Sequence, residues 1–124
     1  MRVLKNRPFA RFARKADLDD AALCKAVANA ERGLIDADLG GGVIKQRIAR
    51  RGQGKSGGFR AVILYRRGSR ALFVYGFAKN EQANISQDEL AALKELASEM
   101  LAYSEASIKK AIESGPLIEV NCHE

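Results

Sequence analysis

Along the middle of the chain, apolar and polar residues alternate with the period of extended backbone. From Val43, Ile44 and Ile48 fall on one side while Lys45 and Arg47 fall on the other, which predicts a half-buried strand. Residues 59–67 and 70–79 predict two further strands joined by a tight turn at Gly68-Ser69. In the first of these, Arg60, Val62 and Leu64 share one side and Phe59, Ala61, Ile63 and Tyr65 the other. Both sides are largely apolar, as expected of a central strand covered on both faces for part of its length. In the second, Ala71, Phe73, Tyr75 and Phe77 alternate with Leu72, Val74 and Gly76.

The flanking segments carry helical spacing. After a short opening strand at residues 1–5, Pro8 suits the first turn of a helix over residues 9–15, with Phe9, Phe12 and Ala16 facing inward. Asp17 is a candidate N-cap for a second helix, answered by Asp20. That helix is expected to stop at Gly33, with Leu23, Val27, Ala30 and Leu34 along one face. Gly40, Gly41 and Gly42 read as a flexible turn into a strand, and residues 51–58 as an exposed glycine-rich loop. Ser86 and Glu89 form a capping box, with Ile85 and Leu90 placed as a hydrophobic staple. Leu90, Leu93, Ala97, Met100 and Leu101 make the buried stripe of the helix that follows, widened by Leu96. Ser104 caps a short last helix that Gly115-Pro116 stops, and residues 117–120 either return as an edge strand or cover the core.

A chain of 124 residues, 47% of them hydrophobic and none of them tryptophan, predicts one domain over residues 1–124 with a modest core. The net charge of +6 is unevenly distributed. Residues 1–70 hold 17 Lys/Arg against 6 Asp/Glu, and residues 71–124 hold 4 against 9. Nine basic residues and no acidic one lie between Lys45 and Arg70. Such a field attracts polyanions; a solvated basic face or a dock for an acidic protein is the plainer alternative. Cys24 and Cys122 lack metal-ligand spacing; Cys24 reads as a core thiol, and nothing calls for an oxidising compartment. With no apolar leader and no long apolar run, a cytoplasmic protein without membrane contact is expected.

The single histidine, His123, makes a His-based triad or metal site a poor expectation, and no cofactor motif occurs: the three glycines have neither Walker nor GxGxxG spacing. Positive charge supports one reaction well. RNA cleavage by the substrate's own 2′-hydroxyl needs a proton removed, a crowded phosphate stabilised and the leaving oxygen assisted. Guanidinium groups match phosphate oxygens in a planar fork, and a lysine beside other cations can take part in proton transfer. Arg47, Lys55 and Arg60 meet if the first two central strands pair, and Lys79 lies where the third strand returns to the start of the second. Phe77 or Tyr75 could stack on a base, although an aromatic in such a strand is more often core. This reading requires Arg60 not to be turned inward against a carboxylate.

Three stretches together, LGGGVIKQRIAR at residues 39–50, GKSGGFR at 54–60 and FVYGFAKNE at 73–81, resemble the RelE/HigB-like toxins of bacterial type II toxin–antitoxin modules. The likeness covers nearly the entire chain. It implies an α+β fold of the RelE/ParE type: an N-terminal helical hairpin packed on a small antiparallel sheet, with C-terminal helices. It further implies a metal-independent endoribonuclease that cuts mRNA on the ribosome, needs no cofactor, and is silenced by a cognate antitoxin carrying a DNA-binding domain. By this resemblance Arg60 matches the arginine of GGFR, Lys45, Arg47, Arg50 and Lys55 match basic residues of the preceding strand and loop, and Lys79 matches the residue after GFA. The implied catalytic set is Arg60, Lys55, Lys79 and Arg47, with Lys45, Arg50, Arg51 and Phe77 contacting RNA. Phe77 stands where many relatives place a tyrosine or histidine; it carries no proton, which leaves Lys55 or Lys79 as acid or base. The same fold family includes ParE-like toxins directed at gyrase, and a non-catalytic nucleic-acid or antitoxin binding module is the third possibility.

Overall fold

A computed structural model describes residues 1–50, 54–78 and 85–122, without the side chains of residue 50 and residues 54–57. The elements run β1 (Arg2–Asn6), α1 (Arg7–Lys15), α2 (Asp20–Glu31), β2 (Ala37–Gly40), β3 (Val43–Arg50), β4 (Gly54–Arg66), β5 (Arg70–Ala78), α3 (Gln87–Met100), α4 (Glu105–Ser114) and β6 (Leu117–Glu119). This is the α+β architecture expected, with one difference in the sheet. Its order is β2-β3-β4-β5-β1-β6, and β1 runs parallel to β5 while the other neighbours are antiparallel. The sheet is therefore mixed rather than purely antiparallel, because the chain crosses over between β1 and β5.

Each face of the sheet carries its own core. Phe9, Ala13, Leu23, Val27 and Ala30 of α1 and α2 pack on Ile44, Ile48, Ala61, Ile63, Ala71 and Phe73. Ala97 of α3, Leu101 at its C-cap and Ile108 of α4 pack on Val43, Val62, Leu64 and Leu72 from the other side. The two-sided apolar character of β4 has this cause: it is central and both faces are covered. Gly76 makes room on the first face, since a Cβ there would lie 2.3 Å from the ring of Phe12. Leu34, expected on the inner face of α2, is 60% exposed because the helix has already ended.

Caps follow the sequence with one shift. Asn6 caps α1 through Phe9, and Ser86 with Glu89 closes the capping box of α3. The cap of α2 is Asp19 and not Asp17, which sits at φ 57° in the turn before it. Gly41 and Gly42, both at positive φ, form a two-residue hairpin turn between β2 and β3. The triple glycine is thus a tight turn, and β2 is a strand that its polar composition concealed. Likewise the segment from Gly54 to Gly58, expected as loop, extends β4.

Three long-range ties close the fold. Glu31, at the end of α2, accepts hydrogen bonds from the Tyr65 hydroxyl and from the Gly68 amide at the β4–β5 turn. Burial pushes the Tyr65 phenol well up, and Glu31 adds to the effect. Burial also opposes the charge on Glu31, but the bonds from Tyr65 and Gly68 outweigh it and hold the carboxyl below its ordinary 4.5. Arg70, 5% exposed, donates to the Met100 and Tyr103 carbonyls at the end of α3, where Arg66 donates to Leu101. Finally, Cys24 is bonded to Cys122, with Cα atoms 5.5 Å apart, so the expected free core thiol is instead half of a crosslink between α2 and the segment after β6. The expectation failed because parallel β1 and edge strand β6 bring residue 122 back to α2, which linear spacing does not show.

Two outcomes follow. Cys122→Ser lowers the unfolding free energy by about 2–4 kcal/mol in urea titrations without reductant, because the bond closes a long loop, and leaves it unchanged when both proteins are reduced. Glu31→Gln is less stable than wild type at pH 7. Because the folded-state carboxyl is depressed, that difference persists above 4.5 and shrinks as the pH falls through the folded value, as denaturation at stepped pH will show.

Candidate nucleic-acid interface

The end of the sheet face beyond α3 and α4 assembles the candidate site. Across β3, β4 and β5 the register pairs Lys45 with Val62 and Tyr75, and Arg47 with Arg60 and Phe77. Residues paired in register share a face. Two rows result, cationic at the β3 side and aromatic at the β5 side.

The aromatic half exists because of a bulge. Between Val62 and Ile63 the pairing with β5 slips, so that Val62 faces Tyr75 while Ile63 faces Phe73. One extra residue, Val74, is absorbed, and the inward and outward sides of β5 exchange. Simple alternation puts Tyr75 and Phe77 with Phe73 on the α1–α2 face; instead they stand on the same face as Arg60. Phe77 is 7% exposed and packs with Val62 and Val74, and Tyr75 lies beside it with ring centroids 5.9 Å apart and is 51% exposed. The ring offered to solvent here is therefore that of Tyr75. Period-two alternation gave no sign of this, since the signal lies in the partner strand's pairing.

The cationic half is organised by a carboxylate. Asp36, which immediately precedes β2, pairs with the Arg47 Nε at 3.3 Å through one oxygen and with the Arg60 Nε at 3.1 Å through the other. The requirement that Arg60 not be turned inward against a carboxylate is met only in part: it does lie against one, because the β2–β3 hairpin brings Asp36 in from outside the acid-free stretch between Lys45 and Arg70. The pair is not sunk in the core. The Arg47 side chain is 53% exposed, those of Arg60 and Asp36 17% and 20%. The two contacts differ in kind: the Arg47 Nε donates a hydrogen bond to Asp36, whereas the Arg60 Nε meets the carboxylate as an ion pair without hydrogen-bond alignment, and among the described residues the terminal nitrogens of Arg60 make no hydrogen bond.

Asp36 is itself held by Gln46. This glutamine is 3% exposed, and its amide donates to the Ala26 and Leu34 carbonyls at 3.0 and 2.8 Å while its oxygen accepts from the Asp36 amide at 3.0 Å. All three bonds go to backbone, so they tie the connection from α2 to β2 to the core. Gln46 shares the parity of Ile44 and Ile48 and could have been singled out from that: a polar residue at a core position needs partners.

Lys45 is half-buried on the same face. Arg50 follows a register shift after Ile48 and pairs with Gly54; its side chain, that of Lys55, and all of Arg51 and Lys79 lie outside the described residues. Ala78 pairs with Phe59, as the expected up-and-down path requires. Arg66 and Arg70 belong to the other end, against α3, so the basic stretch divides between two tasks. No group of His, Cys, Asp and Glu suited to a metal ion occurs among the described residues.

Gln46→Leu is expected to destabilise the fold by about 2 kcal/mol, since it leaves the Leu34 carbonyl and the Asp36 amide without partners; chemical denaturation of the variant checks this.

No curated protein sequence matches the chain. The sequence model for the RelE toxin of the RelE/RelB toxin–antitoxin system matches residues 1–120, and with the α+β fold above this shows that the chain belongs to the RelE toxin family.

Proposed function

We propose that the protein is a toxin that cuts mRNA within its backbone, on the ribosome and in the cytoplasm, with the RNA 2′-hydroxyl as nucleophile and without a metal. The observation that carries the reading is the convergence of Lys45, Arg47 and Arg60 with exposed Tyr75 on one stretch of sheet face. An extended RNA strand needs both halves: cations for the phosphates and a flat ring for a base. Family membership supports nuclease chemistry on that surface.

In this reading Arg60 and Arg47 grip the phosphate at which cleavage occurs. Two guanidinium forks stabilise the extra charge of the five-coordinate phosphorus more than the charge of the ground state, and so lower the barrier. Tyr75 stacks on the adjoining base and fixes the 2′-oxygen in line, while buried Phe77 backs its ring. Lys45, Arg50 and Arg51 track the flanking phosphates, and proton transfer falls to Lys55 or Lys79. The partner that silences the protein is an acidic antitoxin segment, attached to a DNA-binding domain, that covers this face. Among the described residues no helix is long and apolar enough to cross a membrane. A reducing cytoplasm keeps cysteine pairs as thiols, so the crosslink belongs to the oxidised chain.

The test is induction of the protein in cells with 5′ ends of mRNA mapped during translation. Wild type is expected to generate new ends, Arg60→Ala to lose about 10²- to 10³-fold of that activity, and Tyr75→Ala about 10-fold or more. Growth arrest with intact transcripts and poisoned gyrase overturns the assignment.

A further inference from the structure

Asp36 is an acidic side chain inside a surface assigned to a polyanion, and electrostatics alone makes it a handicap there. Its placement argues otherwise. It accepts a hydrogen bond from the Arg47 Nε and is ion-paired with the Arg60 Nε at 3.1 Å, in each case at the edge of the guanidinium opposite to one of the terminal amino groups. Arg47 and Arg60 are direct partners on adjacent strands, so their like charges oppose one another unless a counter-ion stands between them. The carboxylate is that counter-ion, and it is not left to find its own place: Gln46 fixes the backbone of Asp36 from inside the core. The hairpin turn at Gly41-Gly42 and the one-residue register shift between Asp38 and Gly40 together put residue 36 beside β3.

We propose that Asp36 is a positioning residue for RNA cleavage: it holds the Arg47 and Arg60 guanidinium groups by Nε so that their terminal nitrogens face one phosphate together. The inference rests on the nuclease reading and deepens it. Two long side chains otherwise lose rotamer freedom when substrate arrives; a carboxylate bound beforehand removes that loss and leaves the forks in place for the transition state. The effect on binding has the opposite sign, because Asp36 repels the substrate backbone. Asp36 thus weakens capture of RNA while it speeds cleavage.

Asp36→Asn separates these terms. The substitution keeps the backbone amide that Gln46 accepts from, removes the charge, and puts an amino group where one of the two arginine-facing oxygens stood. Single-turnover cleavage of ribosome-bound mRNA is expected to fall at least 10-fold, while affinity for a 2′-O-methyl RNA that cannot be cut stays equal or tightens. Asp36→Glu, which keeps the charge one methylene further out, recovers part of the rate. In protein labelled with ¹⁵N-arginine, the Arg47 Nε–H signal is expected to be protected from exchange in wild type and to lose protection in Asp36→Asn, and the Arg60 Nε–H signal to shift on loss of the paired charge. Cleavage that is unchanged or faster in Asp36→Asn overturns the inference, as does loss of cleavage and binding together with a lowered melting temperature. Wild-type protein that leaves RNA whole while its Arg47 Nε–H signal is protected overturns the nuclease reading itself, and with it the use assigned to the clamp.

Discussion

The contact on which the site depends is the double ion pair of Asp36 with Arg47 and Arg60, seated on buried Gln46. It joins three levels of the structure. A glycine turn and a register shift in β2 set the pairing with β3, a core glutamine ties that hairpin to the body of α2, and the carboxylate so placed pairs with two cations from neighbouring strands. Surface ion pairs as such contribute little to stability. This one matters for where it leaves the guanidinium forks, which is a matter of geometry more than of folding energy.

The second determinant is the bulge opposite Val62. Without it, Tyr75 would add to the core against α1 and the face beside Arg60 would have no exposed ring. With it, the chain keeps Phe73 in one core, places Phe77 in the other, and has one aromatic left over for solvent. Bulges of this kind commonly re-aim side chains near functional sites. The opposite end of the sheet uses its arginines differently: Arg66 and Arg70 satisfy carbonyls at the end of α3, and a region that reads as one basic field is divided between the candidate site and a helix stop.

Much of this was legible in the sequence. The hairpin at Gly68-Ser69, the capping box at Ser86 and the glycine stop at Gly115 are local signals, and each stands where the residues put it. The family likeness was legible from three motifs together, and it extends over nearly the whole chain. What escaped is non-local. The parallel pairing of β1 with β5, the meeting of Cys24 with Cys122, and the arrival of Asp36 at Arg60 all depend on which strands become neighbours. The facing of Tyr75 escaped for a related reason, since a slip in pairing between two strands leaves no trace in the alternation of either one.

The most direct measurement is a crystal structure of the protein with a 2′-O-methyl RNA oligonucleotide. The account predicts one backbone phosphate bonded by terminal nitrogens of both Arg47 and Arg60, Asp36 still at their Nε atoms, and a base on the ring of Tyr75. RNA seated on another face, or a phosphate that reaches Arg60 only after Asp36 has been displaced, would contradict it.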